Sequence, residues 1–150
     1  MNKETVDEES LELKLFIVLS RASIWISKHS DRHISQHGIT TTEFAVLELL
    51  YHKGTKPLQQ IGEKILTSNA NTTYVIDKLE KKEYLIRKRC STDRRTIYAE
   101  LTDKGREFIE KIFPEHEKVI EQATKGLTKE EMTQAIHLLK KAGVYAKQEF

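Results

Sequence analysis

One cysteine, Cys90, is all the thiol chemistry in this 150-residue chain, and a single thiol excludes an intramolecular disulfide. Prolines number two and glycines six, too few punctuators for a strand-rich sandwich, so the composition favours helix. No apolar run approaches the ~20 residues a membrane-spanning helix needs. The stretch from Met1 to Glu9 lacks an apolar signal core, so the expected compartment is the cytoplasm. Also missing are a Ser/His/Asp or Cys/His nucleophile signature, a phosphate-cradling glycine loop and a metal-hydrolase motif, so neither an enzyme nor a bound cofactor is expected. A net charge of +2 is too small to identify a polyanion ligand by itself.

What is present is an ordinary globular balance, 38% hydrophobic and 32% charged, in a length that suits one domain with its own core. The charge is unevenly placed. Lys81, Lys82, Arg87, Lys88, Arg89, Arg94 and Arg95 outweigh Glu83 and Asp93, whereas Glu4, Asp7, Glu8, Glu9 and Glu12 outweigh Lys3 near the start. Such segregation suits a protein that meets a polyanion on one side, and equally a solvated basic loop.

Apolar residues at spacings of three and four (Leu11, Leu15, Val18, Leu19, Ala22, Trp25, Ile26) predict a long helix from about Glu8 to His29 or beyond. Leu13, Phe16, Ile17 and Ile24 lie off that stripe, so the helix is covered on more than one side, which suggests a partner subunit. Thr40 to Glu43 has capping-box spacing and starts a second helix ending near Gly54. Pro57 fits the first turn of a short helix, Leu58 to Ile65. After a turn around Leu66, Thr67 and Ser68, a further helix runs to about Lys82. In it Thr72, Val75, Ile76 and Leu79 face the core, and Asn69, Asn71, Thr73, Tyr74 and Lys78 face outward.

Leu85 to Leu101 then reads as two strands around a charged tip, with Ile97, Ala99 and Leu101 alternating against Thr96, Tyr98 and Glu100. Thr102 caps another helix, whose stripe is Phe108, Ile109, Ile112 and Phe113 and which Pro114 is expected to kink or interrupt. The last helix carries Met132, Ala135, Ile136, Leu139 and Ala142 on one side, with Leu138 and Val144 beyond it. The expected fold is mainly α with a small β-hairpin, a winged helix-turn-helix at about residues 41–101 between long helices at about 8–37 and 103–147, in a single domain of residues 1–150.

This order, with Leu58, Ile61, Gly62 and Ile65, then Thr73 to Glu80, Asp93-Arg94-Arg95, and Leu-Thr-Asp-Lys-Gly over 101–105, resembles the MarR family of bacterial transcription regulators. The resemblance covers nearly the whole chain. It implies a homodimer joined through its first and last helices, bound to a palindromic double-stranded DNA operator. Half-sites about one turn, ~10 bp, apart suit such a dimer. It further implies a repressor released by a small phenolic or similar molecule or by a redox signal. A winged-helix protein-docking module without DNA readout is the alternative. Two positions depart from the family: Glu83 stands where relatives usually have Gly, and Tyr74 where a basic residue is common.

Residue chemistry then suggests roles. Asn69 and Asn71 can bond bidentately to adenine or merely cap the helix, Thr73 can touch a thymine methyl, and Thr67, Ser68, Tyr74 and Lys78 suit phosphate. At the tip, Asp93 is expected to pair with one arginine while the other enters a narrow minor groove; the resemblance favours Arg95 over Arg94. Arg87, Lys88 and Arg89 alternate in direction, so only part of that set, Arg87 included, can face the DNA backbone. Flanking cations would make Cys90 reactive, a candidate redox sensor. A phenolic effector would lodge near Trp25, Phe44, Tyr51 and Phe108, aromatics equally explained as core. His29, His33 and His37, four apart, offer a divalent-metal face, against the plainer reading of a solvated one.

Overall fold

The computed structural model describes residues 10–65 and 68–150. Along the described chain come α1 (Leu11–Ser35), α2 (Thr41–Lys53), β1 (Lys56–Pro57), α3 (Leu58–Lys64), α4 (Asn69–Lys81), β2 (Leu85–Arg89), β3 (Ile97–Leu101), α5 (Asp103–Thr124) and α6 (Lys129–Gln148). The three strands form one antiparallel sheet in the order β1-β3-β2. The hairpin register pairs Leu85 with Leu101 and Arg89 with Ile97, which leaves residues 90–96 as the wing tip. Helices α2, α3 and α4 pack against this sheet as a winged helix-turn-helix, with α1 and α5 alongside.

Each helix start has a local cause. Ser10, Thr40, Ser68, Thr102 and Thr128 each accept the N–H three residues on, satisfying a donor the helix itself leaves free. The full capping box occurs at α6, where Glu131 also reaches back to the Thr128 N–H. At α2 only half of the expected box forms. The Glu43 carboxylate, 2% exposed, is drawn instead to the Lys82 ammonium 2.7 Å away. Lys82 also donates to the Gly38 carbonyl at 3.1 Å, so one side chain ties the end of α4 to both ends of the α1–α2 turn.

Two expectations are corrected. Pro57 is not inside a helix but pairs with Tyr98 as part of β1, an edge strand where its missing N–H costs no ladder bond, and it precedes α3 as its cap residue. Pro114 does not interrupt α5, which runs unbroken from Asp103 to Thr124. The lost bond to the Glu110 carbonyl is outweighed by an apolar stripe that buries Ile109 and Ile112 before the proline and half-buries Phe113, Val119 and Ile120 around it.

The core gathers Val46, Leu47 and Leu50 of α2, Ile61 of α3, Val75, Ile76 and Leu79 of α4, Leu85 and Ala99 of the hairpin, and Ile109 and Ile112 of α5. From α1 only Ile34 is buried, and from α6 nothing is. Large apolar side chains therefore stand exposed along both terminal helices: Leu11, Leu15, Val18, Leu19 and Trp25 on one, Ile136, Leu138, Leu139 and Val144 on the other.

Glu83 resolves the first departure from the family. It takes φ 65° and sits just past the end of α4, where its N–H donates to the Glu80 carbonyl and the Tyr84 N–H donates to the Leu79 carbonyl. That bond pair is the Schellman ending, and the left-handed residue inside it favours Gly. Glu83→Gly is expected to raise stability by about 0.5–1 kcal/mol, because the relieved Cβ strain exceeds the gain in unfolded-chain entropy. The exposed ion pair with Lys104 that it removes is worth little. Urea denaturation of the two proteins measures this, and a loss of stability would mean that Glu83 is not strained.

Candidate nucleic-acid interface

Burial divides α4 as its sequence period requires. Thr72, Val75, Ile76 and Leu79 are buried, so Asn69, Asn71, Thr73 and Tyr74 stand on the exposed face and Lys78 at its half-buried edge. Ser68 is the cap, accepting the Asn71 N–H at 3.1 Å, so neither asparagine occupies the cap position. Thr67, along with Leu66, lies outside the described residues. Tyr74 and Lys78 are one turn apart, and the ammonium lies 4.8 Å from the ring centre. The tyrosine hydroxyl beside it pushes the Lys78 pKa up, keeping a full positive charge next to the ring that replaces a basic residue.

The wing tip is built by Asp93. Its carboxylate accepts the Arg95 backbone N–H at 3.0 Å and the Thr96 hydroxyl at 3.1 Å, while the Thr96 N–H donates to its carbonyl. Asp93 thus acts on Arg95 through the backbone, not by the guanidinium pairing that its charge suggested. Arg94 and Arg95 are exposed, and among the described residues neither guanidinium has an ion-pair partner. Arg87 is used differently. Its guanidinium is turned back onto α4, on Asp77 and, at 3.0 Å, on Glu80, and Glu80 also accepts the Arg87 backbone N–H at 3.0 Å. This bidentate clamp locks the wing to the outward helix, so Arg87 positions the interface. Lys88 is paired across the hairpin with Glu100 at 2.5 Å.

A helix with an outward polar face, joined by Arg87 to a hairpin whose tip arginines have no ion-pair partner among the described residues, has the shape and charge to enter a major groove and reach along the adjacent minor groove. The comparisons agree. The model for the MarR family matches residues 39–97, from the start of α2 to the wing. The HTH-type transcriptional regulator MhqR of Bacillus subtilis (strain 168) is 54% identical over 136 residues, spanning 91% of this chain and 94% of that protein. The chain belongs to the MarR family. Its members are DNA-binding regulators of transcription, and solved structures share the fold. AbsC, a MarR family transcriptional regulator from Streptomyces coelicolor, superposes with a TM-score of 0.85 at 18% identity, covering 93% of this chain and 97% of that one. Sco3205, a MarR family regulator from the same organism crystallised in complex with DNA, gives 0.82 at 20% identity, covering 94% and 91%.

The other candidate residues of this MarR-family chain are scattered. Phe44 is buried against the His116 ring, centroids 4.6 Å apart. Tyr51 donates to Glu110 at 3.3 Å, and Phe108 stacks on Tyr84 at 4.3 Å. Trp25, 63% exposed, lies under the Lys28 ammonium. Each aromatic has a different neighbour. A groove of about 810 Å³ is lined instead by α5, α6 and the turn between them, including Phe113, His116, Ile120, Leu127 and Met132. Cys90 is half-buried, and its thiol pKa is lowered first by the Thr92 hydroxyl 3.2 Å away, then by backbone donors of the tip, not by the flanking cations its neighbours suggested. His29 is exposed on α1, whereas His33 and His37 converge, though α1 ends between them at Ser35. Burial, and then the nearby His33, hold the His116 pKa below the usual imidazole range.

Among the described residues no helix is long and apolar enough to cross a membrane.

Proposed function

We propose that this chain is a homodimeric repressor that reads a palindromic operator and leaves it on a small-molecule or redox signal. Asn69, Asn71 and Thr73 address base edges, Ser68, Tyr74 and Lys78 the phosphates, and Arg95 the minor groove with Arg94 beside it. Thr67 is assigned to phosphate from its residue type. The observation that carries this reading is the pairing of an exposed polar α4 face with a wing whose two tip arginines have no partner among the described residues, while Arg87 is spent on fixing one to the other. The DNA complex of Sco3205, a fold neighbour, supports it. For the redox branch Cys90 is the sole thiol in the sequence.

Selection from random DNA with the purified full chain tests this. The enriched sites are expected to be inverted repeats with half-site centres about 10 bp apart. Affinity for them is expected to fall steeply with salt, by a log–log slope of about −0.9 per neutralised phosphate. Arg95→Ala is expected to lose roughly 10-fold in affinity, since one good groove contact is worth about 1–3 kcal/mol. Enrichment of no palindrome would remove the operator reading, and an unchanged affinity in Arg95→Ala would remove the wing assignment alone. Repeating the measurement with phenolics and with an oxidant separates the two signals, the second being abolished by Cys90→Ser.

A further inference from the structure

We propose that His33, His37 and Glu115 form a binding site for one zinc ion, which ties the C-terminal end of α1 to the middle of α5. Two of the side chains stand four residues apart across the C-terminal end of α1 and the third comes from α5, and they present one ligand atom each to a common point. His33 Nε2 and His37 Nε2 are 3.4 Å apart, and Glu115 Oε2 lies 3.5 Å from the first and 3.6 Å from the second.

Those separations are long for hydrogen bonds, whose heavy atoms prefer about 2.7–3.2 Å. They match a tetrahedral zinc face instead. With metal–ligand bonds of about 2.0–2.2 Å, the edges of such a tetrahedron are about 3.3–3.6 Å. An ion placed above this triangle would therefore reach all three atoms with little movement, and the fourth vertex remains for water.

Burial agrees with a built site. The His33 side chain is 10% exposed and that of His37 22%, while Glu115 reaches in from the surface. Among the described residues Nδ1 of His33 is buried without a hydrogen-bond partner, as is Nδ1 of the neighbouring His116, whose ring centre lies 5.8 Å from that of His33. His33 Nε2 is the ring nitrogen that faces both other donors. Two imidazoles and one carboxylate are a borderline-soft set, preferred by zinc, cobalt, nickel and copper over magnesium or calcium. His29, one turn earlier on α1, is exposed and takes no part.

The test uses the full chain, stripped with a chelator and dialysed, then titrated with Co²⁺ as a spectroscopic probe and with Zn²⁺ against a chromophoric chelator. One ion per chain is expected, with visible bands of tetrahedral Co²⁺ that Zn²⁺ abolishes, and a thermal midpoint that rises with zinc. His37→Gln and Glu115→Gln are each expected to weaken zinc binding by at least ~100-fold and to cancel the thermal shift, while His29→Gln changes neither. Both altered side chains are partly exposed, so metal-free melting curves matching the parent confirm that the variants fold. Unchanged zinc affinity in His37→Gln and Glu115→Gln overturns the proposal, as does a thiolate-to-cobalt charge-transfer band, which would place the ion on Cys90.

Discussion

Replacing Gly105 with alanine is expected to destabilise the protein by about 3 kcal/mol and to lower the melting temperature by roughly 6–12 °C. Gly105 is the third residue of α5, and its N–H donates to the Thr102 hydroxyl at 3.0 Å. A Cβ there would lie 1.9 Å from the Tyr84 carbonyl oxygen and 2.8 Å from its carbon. Neither atom can rotate away. The Tyr84 carbonyl accepts the Thr102 N–H, the Thr102 hydroxyl donates to the Glu83 carbonyl, and the Tyr84 N–H closes the end of α4. The start of β2, the left-handed turn at Glu83 and the first turn of α5 thus form one knot, and the missing Cβ is what lets them meet. The direction of the effect is diagnostic. In an open helix Gly→Ala stabilises by about 1 kcal/mol, so a gain in a urea or thermal melt would show that the close approach is absent.

That knot also explains both ends of the Leu-Thr-Asp-Lys-Gly run: Gly105 admits the backbone carbonyl of Tyr84 from an earlier element, which only the family resemblance marked, whereas Thr102 caps its own helix, a local cause that the sequence shows. The division of α4 into buried Thr72, Val75, Ile76 and Leu79 and an exposed polar face was legible for a similar reason, since one helical period decides both. Side-chain partners on another element were not legible. Charge alone offered Arg87 to DNA, because nothing local says that β2 will pack beside Asp77 and Glu80 of α4. The same limit hid Glu115, which meets His33 and His37 only where α5 passes α1, and it diverted Glu43 from its capping box to Lys82, 39 residues away. β1 escaped notice because two residues carry no period, and its existence depends wholly on β3 being there to pair with it.

Charge placed on the exposed apolar faces of α1 and α6 is expected to abolish tight operator binding without unfolding the protomer. The stripe on α1 predicted a covered helix, yet Leu15 is 59% exposed and Leu139 on α6 44%. Burying a side chain of this size stabilises by about 1.5–3 kcal/mol, so leaving so many of them in water on two helices is costly unless a second copy covers them. A two-fold partner is the simplest cover, because a closed symmetric contact uses the same patch on both chains. In the double variant Leu15→Asp with Leu139→Asp, each copy would have to desolvate unpaired carboxylates at that contact, which outweighs the lost apolar gain. Sedimentation is expected to show a monomer, with circular dichroism close to the parent because neither side chain supports the core. A monomer reaches one half-site only. Losing the second, effectively intramolecular contact is expected to weaken operator binding by roughly 100- to 10,000-fold. Arg95→Ala, by contrast, leaves sedimentation unchanged while lowering affinity, so the two defects separate assembly from readout. A double variant that still sediments as a dimer with full affinity would place the interface elsewhere, and the exposed stripes of α1 and α6 would then need another cover.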